Sequence, residues 1–220
     1  MGLFDFLKPK KHPLETLRDN PNVRPAIVQA ELERLCAQCR SLKAVGREQE
    51  AQQAAIKFLV NLAKDCVQKE FFESQFMLSL LVEAAIRLEE PKHGRGLLGK
   101  IVDFHRSVVS KGIKDAPALD LTQAYTDAGR LEHLIRESRE EEYRCYWEAA
   151  QAEPPPGCKQ PASNRSKANA HDLAYSLCAV EAFKEGEWPQ RRDWHDQKRR
   201  EYAPECNWDD PDDRMRWHGL

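Results

Sequence analysis

Apolar residues recur at steps of three and four along most of the chain. From Pro25 onward, Val28, Leu32, Leu35, Cys39 and Leu42 share one face, the spacing that predicts an amphipathic helix. Pro25 suits a first helical turn, where its missing N–H costs nothing. The stripe ends at "AVGRE", where Gly46 can take the positive φ that closes a helix. A new stripe follows through Ala51, Ala55, Phe58, Leu62 and Cys66, so residues 25–67 read as an antiparallel helix pair. A second pair is predicted from "QKEFFESQFMLSLLVEAAIRLEE". There Phe71, Leu78, Leu81, Ala85 and Leu88 form one stripe, and Phe72, Phe76, Leu80 and Ala84 form another beside it. So wide an apolar arc predicts a helix packed on two sides. "EPKHGRG" is expected to break it through Pro91 and two glycines, before a return helix through Leu98, Ile101, Val102, His105, Val108 and Val109.

A third pair surrounds "TDAGRLEHLIRE". Leu121, Ala124, Tyr125 and Ala128 lead to Gly129, and Leu131, Leu134, Ile135, Ser138, Glu142, Cys145 and Ala149 lead away from it. Its Gly-Arg reads as a helix-to-helix turn rather than a phosphate cradle. A P-loop needs a longer glycine pattern ending in Lys-Ser/Thr after a strand, and nothing here supplies one. "AVGREQEA", "KHGRGLLG" and "DAGRLEHL" share the Gly-Arg, and their glycines, Gly46, Gly94 and Gly129, are 48 and 35 residues apart. A fourth candidate turn, Gly186 in "KEGEWPQR", follows the helical stretch "NAHDLAYSLCAVEAFK". Repeated helix–turn–helix units near this period predict an α-solenoid.

These units carry a family resemblance. "GREQEAQQAAIKFLVNLAKD" resembles the second helix of a tetratricopeptide repeat, and "AYTDAGRLEHLIRE" and "AVEAFKEGEWPQR" are similar. The resemblance covers residues 25–152 and extends to 168–203, although the family's Trp-Leu-Gly-Tyr opening and closing Pro are absent from most units. It implies an all-α fold, a right-handed tetratricopeptide-like superhelix of stacked antiparallel helix pairs, with a concave face that binds another protein or a peptide. The expected organisation is an N-terminal arm over 1–24 and three helix pairs over 25–152. A Pro-rich linker or loop over 153–167 precedes a fourth pair with a Trp-rich tail over 168–220.

Composition narrows the function classes. The chain has 220 residues, 41% hydrophobic and 32% charged, with a mean hydropathy of −0.72, a strongly charged surface over a modest core. A net charge of −2 gives no global attraction to nucleic acid. No run reaches the roughly 20 apolar residues of a membrane span. The opening "MGLFDFLKPKK" has too short an apolar patch, interrupted by Asp5, for a secretory signal. Gly2 is followed by Phe6 where myristoylation expects Ser or Thr. Phe4, Phe6 and Leu7 beside Lys8, Lys10 and Lys11 read as a frayed terminus or small docking strip, with contact to a membrane surface as the alternative. Seven cysteines without framework spacing point to a reduced, cytoplasmic chain. Cys36 and Cys39, in "CAQC", read as small core residues rather than half a zinc site.

The chemistry-bearing residues are few. No G-x-S-x-G, H-E-x-x-H or Rossmann fingerprint occurs. "AHDLAY" and "DWHDQ" pair His171 with Asp172 and His195 with Asp196. Such pairs can serve a metal-dependent helical hydrolase if further ligands gather around them, with His105 and His133 available. His105 lies on an apolar stripe and reads as a satisfied core or edge residue. The last segment is the most unusual. It holds Trp188, Trp194, Trp208 and Trp217, a basic block from Arg191 to Arg200 and an acidic one from Asp209 to Asp213. Tryptophan beside arginine is the composition of binding hot spots, so Trp188, Arg191, Arg192, Trp194, Trp208 and Trp217 are the candidate partner-binding residues. Two other readings stand beside it: aromatics capping the open end of the stack, and single-strand nucleic-acid binding, which the interspersed aspartates oppose. The expected function is a non-catalytic adaptor, chaperone-like or inhibitor protein that binds another protein. No cofactor or metal is expected, and self-association through the uncapped N-terminal end is a further expectation.

Overall fold

The structure, a computed structural model, describes residues 23–67, 75–111, 119–152, 164–181 and 186–218. Among the described residues every regular element is helical. In chain order these are α1 (Arg24–Ala44), α2 (Glu48–Asp65), α3 (Gln75–Arg87), α4 (Pro91–Ser110), α5 (Leu121–Ile135), α6 (Arg139–Gln151), α7 (Asn164–Glu181), α8 (Trp188–Tyr202) and α9 (Pro211–His218). The N-terminal arm through residue 22, Phe71, Phe72 and residues 153–163 of the expected linker lie outside the described residues, as does the Val109 side chain. Residues 164–167, read as the end of that linker, belong instead to the first turn of α7.

Consecutive helices from α1 to α8 pack on one another, and α1 also meets α3, α2 meets α4, α3 meets α5, and α5 meets α7. The α1 stripe buries Val28, Leu32, Cys36 and Cys39, so the "CAQC" cysteines are core residues. On α2, Leu59 is fully buried while Phe58 packs half-buried against the core. Helix α3 is the centre of the stack. Met77, Leu78, Leu80, Leu81, Val82, Ala84 and Ala85 are all buried, because α1, α2, α4 and α5 cover it from several directions. Phe76, expected on an inward stripe, is 55% exposed, and Met77 occupies the interior instead.

The turns correct the glycine reading. Gly46 (φ +77°) closes α1, and Gly186 (φ +119°) precedes α8. Gly94 and Gly129 lie inside α4 and α5. Their value is the missing Cβ. A Cβ on Gly94 would stand 2.3 Å from the Cβ of Ala85, and one on Gly129 would stand 2.4 Å from the Tyr146 ring. Each glycine lets a neighbouring helix approach closely. The chain reverses elsewhere, at Glu89 (φ 61°) and Arg136 (φ 58°), two non-glycine residues in the left-handed region. The helix does break ahead of Pro91, α3 ending at Arg87, but Pro91 opens α4, and Gly94 and Gly96 lie inside it. Ser138 and Asp120 cap α6 and α5, accepting from the backbone N–H of Glu141 and Gln123.

Two alanine substitutions test this distinction. Gly94→Ala should lower stability to urea by about 2 kcal/mol, as forced overpacking does. Gly96→Ala on the same helix, where an added Cβ meets nothing within 4 Å, should raise it by up to ~1 kcal/mol. A Gly94→Ala protein as stable as the parent would mean that α3 and α4 do not approach so closely.

Candidate functional site

An apolar groove of about 480 Å³ opens where α3, α5, α6 and α7 converge. Its floor and walls are Ile86 of α3, Leu134 of α5, Tyr146 of α6, and Leu173, Leu177 and Val180 of α7. Leu134 is 44% exposed and Val180 67%, an edge of apolar surface left open to water. Polar groups line it as well: Arg130, His133, Arg139, Glu142 and Ser176. A smaller cavity of about 310 Å³, between α3 and α5, shares Ile86 and Arg130 with it and adds Ser79, Val82, Glu83, Arg87 and Asp127.

The α5–α6 turn builds the charged wall. Ser138 starts α6 and sets Arg139 at its first turn, where the Arg139 Nη1 donates to Glu142 Oε2 at 2.6 Å. The Arg139 Nε also lies 3.4 Å from Glu181 Oε1 on α7, and His133 Nδ1 meets Glu142 Oε1 at 2.9 Å. Glu142 and Glu181 are both buried, and a buried carboxylate needs such partners to remain charged. Arg130 is placed differently. Its side chain is 57% exposed and touches Asp127 Oδ1 at 3.5 Å, the limit of a hydrogen bond. Asp127 is buried, which pushes its carboxyl above the ordinary range despite help from Gln123 and Arg130. Its Oδ2 has no hydrogen-bond partner among the described residues.

The C-terminal helices place the chemistry-bearing residues singled out in the sequence. His171 and His195 do meet: their Nδ1 atoms are 2.8 Å apart, and the Tyr143 hydroxyl is 3.1 Å from His195 Nε2. One Nδ1–H must donate to the other Nδ1, so the pair requires a neutral acceptor. Trp194 packs on both rings and Tyr202 stacks on His171. Burial pulls His171 down to about 4, helped by the Lys198 and Lys167 charges, and His195 down to about 3, helped by His171 and Arg191. Their sequence neighbours turn away to arginines. Asp172 accepts from Arg199, from Arg214 at 2.9 Å and from His218 at 2.9 Å. Asp196 accepts from the Nε of Arg199 at 2.9 Å and the Nε of Arg200 at 3.0 Å. Burial by itself would raise both carboxyls; the hydrogen bonds and positive charges outweigh it and hold both below the usual range.

His105 is buried on α4, as a core position, and its Nε2 accepts the backbone N–H of Leu119 at 3.0 Å. It is not brought to the His171–His195 pair, and nor is His133. Among the described residues no group of three or more His, Cys, Asp or Glu is placed to hold a metal ion.

Of the six candidate partner residues, Trp188, Arg191 and Trp194 join one aromatic cluster around Tyr143 and His195, Trp208 and Trp217 pair in another, and Arg192 is in neither. Trp188 is buried edge-on against Tyr143, with Arg191 over both rings. Trp194 lies 4.9 Å from Trp147 and joins the histidines. Trp208 is 2% exposed, its Nε1 donating to the Ala203 carbonyl, and Trp217 packs against it. Arg192 pairs with its exposed neighbour Asp193. The groove itself gave little local signal, because Arg130, Leu134, Leu173 and Val180 come from different helices. The clue was apolar residues such as Val180 falling outside the buried stripe of their own helix.

Comparison with protein-family models, with curated proteins and with solved structures gave no match.

The histidine pair makes stability depend on pH. Unfolded imidazoles take up protons near pH 6.5, whereas His171 and His195 resist them until about 4 and about 3. Unfolding therefore takes up protons, and stability falls as pH drops from about 6.5 toward 4. At pH 5 each imidazole accounts for a loss of roughly 2 kcal/mol relative to pH 7. Urea denaturation at the two pH values should show this drop reduced by about half in His195→Gln; an undiminished drop would contradict the buried neutral pair.

Proposed function

We propose that the chain is a non-catalytic, cytoplasmic protein-binding module, a tetratricopeptide-like stack of helix pairs that receives a segment of another protein in the groove between α3, α5, α6 and α7. One observation carries the reading: a 480 Å³ apolar groove whose rim leaves Leu134 and Val180 exposed to water. Apolar surface gathered beside a few fixed polar groups is what a binding site offers and what an idle surface avoids. The contacts of α1 with α3, α2 with α4 and α3 with α5 support the helix-pair stack, since each repeat in such a fold buries its face on the next. That the fold serves binding is an analogy of architecture.

In this reading the C-terminal aromatics act chiefly as the cap. Trp188 and Trp208 are buried in contacts with the chain's own residues, Arg191 packs over the Trp188 and Tyr143 rings, and Arg192 pairs with Asp193. The resulting role is that of an adaptor, chaperone-like protein or inhibitor.

Co-purification of the tagged full chain from its native host tests the proposal, beside the double variant Leu134→Asp and Val180→Asp. Both side chains are well exposed, so the variant should keep its helicity and melting temperature. Charges in an apolar contact of this kind should weaken binding by at least about tenfold, or ~1.4 kcal/mol, and the partner should be lost. A stoichiometric partner held equally by both proteins would move the site away from the groove.

A further inference from the structure

Among the described residues lining the groove the cations are paired with carboxylates, Arg130 the least closely. Arg139 is answered by Glu142 and Glu181, and His133 also meets Glu142. Arg87 is answered by Glu83 at 3.0 Å. Arg130 is not comparably matched. Among the described residues its carboxylate contact is Asp127, through one nitrogen at 3.5 Å, and the guanidinium side chain remains 57% exposed. Asp127 is itself buried and its Oδ1 meets Arg130 only at that long distance. Arg130 also stands where the two cavities join, bordering both together with Ile86. A guanidinium this exposed is salt-screened, so a carboxylate arriving there gains the modest energy of a surface ion pair, set beside the apolar contact of the groove.

We propose that the groove takes an acidic, apolar segment of its protein partner, with apolar side chains on Ile86, Leu134, Leu177 and Val180 and a carboxylate paired with the Arg130 guanidinium. This rests on the reading of the groove as a protein-binding site and adds the chemistry of what enters it. A fork of two N–H donors suits a carboxylate, which it holds through both oxygens. A lysine-bearing segment meets the opposite situation: Glu142, the carboxylate among the groove's described lining residues, is buried and already engaged by Arg139, so the ammonium faces Arg130 with no open carboxylate among them. The chain's net charge of −2 works weakly against any acidic partner at long range. A preference for one therefore isolates the local cation.

Fluorescence anisotropy of the full chain with two labelled synthetic peptides tests this. Both peptides are amphipathic helices with the same leucine pattern, one with glutamates on its polar face and the other with lysines. The glutamate peptide should bind about tenfold more tightly, and its affinity should fall as salt screens the pair. Arg130→Gln should remove the preference and Arg130→Glu should reverse it, while Val180→Asp should weaken the glutamate peptide by about tenfold. Circular dichroism of each variant confirms that it is folded, as expected for a residue this exposed. Equal binding of both peptides, lost together in Val180→Asp, would overturn the inference and leave the groove as a protein-binding site. An unchanged preference in Arg130→Gln would overturn it in the same way. If neither peptide binds, the inference is overturned, and loss of the cellular partner from the Leu134→Asp, Val180→Asp protein alone would show that the groove reading survives it.

Discussion

A buried guanidinium organises the C-terminal half of this molecule. Arg199 is 1% exposed, and removing a charge from water costs several kcal/mol unless it is fully partnered. The surroundings supply the partners. Asp172 of α7 and Asp196 of α8 accept its hydrogen bonds, and the guanidinium plane lies 3.7 Å from the Tyr175 ring centre and 5.2 Å from that of Trp208. Asp172 also receives Arg214 and His218 from α9. One carboxylate therefore ties α7, α8 and α9 together, and the tryptophans near it are drawn inward with the charge.

The orientation of α7 follows from this joint. Asp172 and Ser176, one helical turn apart, both accept from Arg214. Leu173, Leu177 and Val180 step along the adjoining face by three and four, and together with Ser176 they border the groove. Helix α5 meets α7, while Gly129 lets the Tyr146 ring lie against α5. The groove is thus the gap between a polar-locked C-terminal unit and the apolar stack of α1 to α6. Arg139 and His133 on its wall are bonded to buried Glu142, whereas Arg130 has one long contact, with Asp127, among the described residues.

Helix positions were legible in the sequence because apolar periodicity reports which face of each helix is buried, and Val28, Leu32 and Cys39 lie where that period puts them. The turns were legible only where backbone geometry required glycine, as at Gly46 and Gly186. Gly94 and Gly129 carry the same Gly-Arg pair for a different reason, close approach to Ala85 and Tyr146. That reason depends on a neighbouring helix which local sequence does not specify. Glu89 and Arg136 hide their turns by adopting a left-handed backbone without glycine. The site was harder still. His171-Asp172 and His195-Asp196 could be picked out as two His-Asp pairs, but not that the histidines would meet each other while their aspartates face arginines. The tryptophans near Arg199 read from composition as partner contacts, whereas Trp208 is enclosed by the chain's own residues. Arg130 sat inside an apparent turn, with nothing local to show that its counter-ion would be buried.

The measurement that bears most directly on this architecture is a double-mutant cycle between Asp172 and Arg199. Chemical denaturation would be followed for the parent, Asp172→Asn, Arg199→Met and the double variant. Each single change should cost about 3–5 kcal/mol, because it leaves the other charge buried with fewer partners. The double variant should cost less than the two singles combined, by at least ~1 kcal/mol. Additive losses, within about 0.5 kcal/mol, would mean that the two residues act independently and that the C-terminal helices are held by something other than this buried pair.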